Sequence, residues 1–221
     1  MVVAEYQTHG RGRYGRRWSS GLGEGLTFSL SKFFKLDSVA MSGLSHVIGI
    51  AIIRVLHQFG IQGVGLKWPN DIVATAGLQK IAGVLIDFHH VTSSESRAII
   101  GIGINFNLSQ TTKNMINQNI TDLSSLVDFR LNQNIFLGNL LLELKLILSS
   151  YETLGFLAFK DEWIKYHLYE GKKVNLVHSV HDKVSGLVCG VGDDGALSLI
   201  IDGEKRFFHV GEFSLVPDDC S

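Results

Sequence analysis

The sequence has 221 residues, 45% hydrophobic and 19% charged, with a formal net charge of −1. That is enough apolar side chain to bury a substantial core, and it excludes a disordered chain. The near-neutral balance excludes the broad basic footprint of a protein whose main task is to hold duplex nucleic acid.

In chain order, "VVAEYQ" reads as a short strand that breaks into "GRGRYGRRW" at residues 10–18. Gly10, Gly12 and Gly15 satisfy the spacing G-x-G-x-x-G. A dinucleotide site needs a helix to open at the third glycine, with its N-terminus facing the pyrophosphate. Here "RRWSSGLGEG" follows, without helical periodicity, and the partner acid about 20 residues on is missing. Two readings remain for the four arginines Arg11, Arg13, Arg16 and Arg17. They form either a solvated basic loop or a glycine-hinged loop that orders over an anionic ligand, offering it bidentate donors.

"LTFSLSKFF" (26–34) alternates as a strand. Residues 42–60 place Leu44, Val47, Ile48, Ala51, Ile52, Val55, Leu56 and Phe59 on one stripe, predicting an amphipathic helix closed by Gly60. "VGLKW" follows as a strand stopped by Pro69. Lys67 therefore stands at a strand end before the turn Pro69-Asn70-Asp71, either simply exposed or aimed at a ligand. "KIAGVLIDFHH" (80–90) and "RAIIGIGINFNL" (97–108) are strands joined by the polar "VTSSES" as a hairpin. The second puts Ile100, Ile102, Ile104 and Phe106 on one face, and Gly101, Gly103, Asn105 and Asn107 on the other. Such a side-chain-free shelf marks close approach of a ligand, or of a crossing element.

The polar stretch 109–122 reads as a mobile loop, and helices are predicted at 134–153 and 156–168. After Gly171 short strands separated by "GDDG" and "DG" predict a small all-β barrel or sandwich. The domains expected are thus 1–170 and 171–221. Cys189 and Cys220 have neither disulfide-framework nor metal-ligand spacing, which points to a reduced, cytoplasmic setting. The start lacks a signal peptide, and apolar runs are interrupted before about 18 residues accumulate, so no membrane span is predicted. The histidine pairs in "HSVH" (178–181) and at 89–90 have no companion ligands, and no metal site is predicted.

Taken in order and spacing, "EYQTHGRGRYGRRW", "KWPNDI", "KIAGVLIDF" and "GIGINFN" resemble the biotin protein ligase family, and "VSGLVCGVGDDGALSLII…FHVGEFSLV" is similar to its small C-terminal domain. The resemblance implies an α+β fold. Its core would be a mixed β-sheet flanked by helices, of the class II aminoacyl-tRNA synthetase and biotin ligase type, with a C-terminal SH3-like β-barrel. It also implies two reactions: biotin and MgATP give biotinyl-5′-AMP, and a lysine of the apo biotin carboxyl carrier protein of acetyl-CoA carboxylase then receives the biotin. On that likeness Gln7, Gly10, Arg11, Gly12 and Arg13 line the biotin and adenylate site. Lys67 stands near the reacting carboxylate and α-phosphate, Gly101 and Gly103 form the shelf under biotin, and Asn105 points toward the nucleotide. Arg13 and Lys67 are the expected catalytic cations, and Asp71 is the candidate for Mg²⁺.

The family carries a Ser-Thr-Asn-type segment upstream of the loop. Only six residues precede Gln7 here, and no such segment appears. The second reading is therefore a truncated, ligase-like domain that dimerises or holds the carrier; a lipoate ligase or octanoyl transferase relative is the third. No helix-turn-helix is present and DNA binding is not expected, whereas a homodimer through the central sheet is.

Overall fold

A computed structural model describes residues 1–37, 40–92, 94–179, 182–209 and 214–217. Six strands form the first sheet: β1 (Val2–Ala4), β2 (Gly25–Phe34), β3 (Val64–Lys67), β4 (Asp71–Ala74), β5 (Lys80–Thr92) and β6 (Glu95–Asn105), in the spatial order β1-β2-β6-β5-β4-β3. Every ladder in it is antiparallel. Among the described residues parallel pairing occurs only as isolated bridges, Leu66 with His167 and Lys80 with Ile120. Strand β4 was not predicted: its four residues are too short a run to show alternation beside the Pro69 turn.

One face of the sheet carries the helices. Helix α1 (Leu44–Gln58) is buried at Leu44, at His46–Ile53 and at Val55–Leu56, so it is enclosed on almost every side rather than amphipathic. The reason is tertiary: the sheet covers one flank, while α3 (Gln133–Leu154) and α4 (Lys160–Tyr166) cover the other. Half-buried Arg54 on α1 donates to Glu162 at 2.8 and 2.6 Å and to Glu143 at 2.8 Å, which ties three helices together. Gly60, at φ +76°, follows the last turn, and the Ile61 amide bonds back to the Leu56 carbonyl.

Segment 109–122 is not a bare loop. It holds α2 (Gln110–Met115), whose first turn is capped by Ser109 accepting from the Thr112 amide. Lys113 pairs with Asp122 at 2.5 Å, and Asn119 donates to the Gly77 carbonyl at 2.6 Å. Six residues held by a cap and side-chain bonds need no apolar periodicity, so the sequence pattern was silent.

The C-terminal strands are β7 (Lys173–Ser179), β8 (Asp182–Val191), β9 (Leu197–Ile201), β10 (Glu204–Phe208) and β11 (Ser214–Pro217). They form one antiparallel sheet in the order β10-β9-β8-β7-β11. Among the described residues β10 and β11 do not pair, so the sheet stays open where a closed barrel was expected. Its inner side chains, Val174, Leu176, Val188, Leu197 and Leu199, join the same continuous core as the helices. The side chains of stretch 178–181 and Cys220 lie outside the described residues. Among those described, no group of three or more His, Cys, Asp or Glu could hold a metal, and no helix is long and apolar enough to cross a membrane.

Two histidines sit inside this junction. The His46 ring lies 4.8 Å from Trp163, which stacks on His167 at 4.4 Å. The ring nitrogens of His167 and Nε2 of His46 have no hydrogen-bond partner. Burial, then the neighbouring His167 and Arg13 charges, push His46 down to about 3; burial also lowers His167, opposed by Glu170. Both folded values lie below the ordinary 6.5, so between that pH and the folded values the unfolded chain binds more protons, and stability falls as the pH is lowered. Thermal midpoints should drop from about pH 7 to about pH 4.5, with a shallower slope in His46→Phe. An equal slope in that variant would contradict the assignment.

Candidate active site

A cavity of about 400 Å³ opens on the helix-free face of the first sheet, beneath loop 10–18. Strand register explains what meets there. Thr27 pairs with Gly103, Gly103 with Gly83, Gly83 with Asp71, and Asp71 with Lys67. Residues directly opposite one another project to the same face, so this rung runs from the glycine shelf to Lys67, three strand spacings or roughly 14 Å. The neighbouring rung is Ser29, Gly101 and Leu85. Two residues distant in sequence, Lys67 and Gly103, thus share one floor.

The two shelf glycines do different things. A Cβ on Gly103 would fall 2.5 Å from the Trp18 ring, so the indole of the loop lies directly on this glycine. A Cβ on Gly101 would meet nothing nearer than the Leu85 carbonyl at 3.5 Å; it faces open cavity. Gly103 therefore serves the crossing element and Gly101 the space for a ligand, the two alternatives that the sequence left open.

Of the expected site residues, Gln7, Arg11, Gly12, Arg13, Lys67, Gly101 and Gly103 line the cavity, and Gly10 and Asn105 do not. Gly10 is buried against the Trp18 carbonyl, and the Trp18 amide returns a bond to Gly10 O at 3.0 Å. Asn105 is 3% exposed and donates to the carbonyls of Lys80 and Thr121 at 3.2 and 3.0 Å, stapling the segment after α2 to the start of β5.

Lys80 is the principal residue that sequence reasoning missed. Counting outward from Gly83, strict alternation sends Ile81 to the cavity and Lys80 to the core. A bulge pairs Ile72 with Ala82 but Val73 with Lys80, so Ile81 and Ala82 both turn inward, each 0% exposed. Lys80 is thereby delivered to the cavity, where its Nζ pairs with Asp71 Oδ1 at 2.7 Å and lies 5.7 Å from the Trp18 ring centre. A lysine directly before the apolar run Ile81–Ile86 was the available signal.

Among the described residues the lining is strongly one-signed: Arg11, Arg13, Arg16, Arg17, Lys67 and Lys80 against the carboxylate of Asp71. Burial lowers Lys67 from its ordinary value, and the Lys80 and Arg16 charges add to this against Asp71. Burial also lowers Arg13, although a guanidinium remains charged at neutral pH. Cations already fixed around one cavity suit an anionic ligand. Asp71 is committed to Lys80, which leaves it poorly disposed as a metal ligand.

The family model for the biotin/lipoate A/B protein ligase family matches residues 1–107. The chain is 34% identical over 214 residues to the bifunctional ligase/repressor BirA of Salmonella typhimurium, and 34% over 216 residues to that of Escherichia coli. Both alignments cover 96% of this chain and 65% of the relative, so the chain spans just under two thirds of their length. Among solved structures it is similar to a biotin protein ligase from Aquifex aeolicus in complex with biotin and ATP. That match has a TM-score of 0.79 and 27% identity, and covers 98% of this chain and 88% of that one. Along nearly its whole length the chain is thus similar to biotin protein ligases.

Proposed function

We propose that the protein is an ATP-dependent, AMP-forming biotin–protein ligase. It activates biotin to biotinyl-5′-AMP and passes the biotinyl group to a lysine of the apo biotin carboxyl carrier protein of acetyl-CoA carboxylase. The observation that carries this reading is the cavity that sets six cations against one carboxylate among the described residues, on a glycine floor and under a glycine-rich loop. In the first step the biotin carboxylate oxygen attacks the α-phosphorus, the bond to the β-phosphate oxygen breaks, and pyrophosphate leaves with the electron pair. Two anions must approach, and Arg13, Lys67 and Lys80 lower that barrier. Mg²⁺ arriving with the nucleotide would neutralise phosphate charge, while Asp71 stays paired with Lys80. In the second step the neutral carrier amine attacks the acyl carbon, AMP leaves, and the nitrogen releases a proton.

Within this reading, Gln7, Arg11, Gly12 and Gly101 contact biotin or its adenylate; Gly103, Gly10 and Asn105 support the site from behind. The chain divides into a catalytic domain, 1–170, and a C-terminal domain, 171–221, of SH3-like type. The protein works in the cytoplasm, as a homodimer. Incubation with biotin, MgATP and apo carrier should give adenylate and then biotinylated carrier. Failure to form adenylate would reject the reading, and transfer of lipoate in preference to biotin would reassign it.

A further inference from the structure

Asn70 follows Pro69 in the turn between β3 and β4, and both its main chain and its side chain engage one residue of β5. The Val84 amide donates to the Asn70 carbonyl at 3.0 Å, and Asn70 Nδ2 donates to the Val84 carbonyl at 2.7 Å. A carbonyl only accepts, so Val84 fixes which end of the side-chain amide faces it. Oδ1 is left facing the loop, where it accepts from Arg13 Nη1 at 3.2 Å. The other branch of Arg13 donates to the Tyr14 hydroxyl at 2.9 Å, with the guanidinium 4.8 Å from the Tyr14 ring centre. Tyr14 travels with the loop, whereas Asn70 belongs to the sheet. The turn around Arg13 closes on itself, through Gly12 N to Arg16 O at 2.7 Å and Arg16 N to Arg13 O at 3.1 Å.

We infer that Asn70 is a latch: a positioning residue that holds Arg13, and loop 10–18 with it, against the sheet. It acts through Arg13 and not on reacting atoms. Its catalytic consequence rests on the ligase reading, while the latch is a property of the protein alone. The residue type follows from its two partners. Aspartate would set a carboxylate oxygen against the Val84 carbonyl, and alanine would leave both Val84 and Arg13 without this partner.

The test compares the wild type with Asn70→Ala, Arg13→Ala and the double variant. The first readout needs no substrate: limited trypsin cleavage at Arg11, Arg16 and Arg17, all exposed. Asn70→Ala should speed cleavage there about tenfold, the scale of one hydrogen bond to a charged group, with other sites unchanged. The second is release of biotinyl-5′-AMP from loaded enzyme. It should accelerate about tenfold in Asn70→Ala, while the double variant releases no faster than Arg13→Ala. Unchanged loop cleavage overturns the latch whatever the activity, and additive release rates overturn its action through Arg13. A wild type that forms no adenylate but keeps the cleavage contrast rejects the ligase reading and leaves the latch standing. If Asn70→Ala does not fold, Asn70→Ser, too short to span Val84 and Arg13 together, carries the same two measurements.

Discussion

Arg13→Ala should slow adenylate formation by about 10²–10³-fold, the usual cost of removing one preorganised donor from a site of developing charge. The geometry supports a loss of this size. Arg13 is half-buried, braced by Asn70 and Tyr14, and therefore pays little reorganisation when phosphate charge builds. Adenylate that does form should escape faster, because the same side chain pins the roof of the cavity. Biotin-dependent exchange of labelled pyrophosphate into ATP measures the first effect, and loss of labelled adenylate from preloaded enzyme measures the second. Wild-type values in both would remove Arg13 from the mechanism. Because neighbouring Arg11, Arg16 and Arg17 stay in place, the overall attraction for an anion persists, so KM for ATP should change less than kcat.

Lys80→Gln should cost a similar factor, about 10²–10³ in the same step. The variant keeps a long polar side chain over the Trp18 ring but removes the charge. Asp71 then loses its partner at 2.7 Å and turns an uncompensated carboxylate toward incoming phosphate. Loss of a cation and release of an anion act in the same direction, which is why Lys80 carries the larger expected effect of the two lysines. Burial lowers Lys67 from its ordinary value, but no carboxylate is released when its side chain is shortened. Single-turnover adenylate formation in Lys80→Gln, Lys67→Gln and the double variant decides between them. A smaller loss in Lys80→Gln than in Lys67→Gln would return the leading role to Lys67. Asp71→Asn offers the converse: if Asp71 only balances Lys80, its neutralisation should be tolerated far better than either lysine change.

Much of this was legible in the residues alone. Alternation in "IIGIGINFN" assigns the isoleucines to the core and the glycines to the opposite face, because side-chain direction on a strand is fixed by its period of two. The spacing of glycines and arginines in "GRGRYGRRW" excludes a dinucleotide loop, since the helix such a loop must open is missing. What lay beyond the sequence came from pairing between strands. Register set Lys67 on one rung with Gly103, and a bulge beside Ile81 turned Lys80 from the core to the cavity. Neither a cross-strand partner nor an extra residue in a ladder leaves a mark in local periodicity. The same holds for α1, whose stripe looked amphipathic until α3 and α4 covered its second flank, and for Asn70, whose partners Val84 and Arg13 are 14 and 57 residues away. Local chemistry thus determined most of the strands, the glycine- and arginine-rich loop and the family resemblance. Tertiary pairing decided which cations converge, because long-range contacts choose among side-chain directions that local sequence permits.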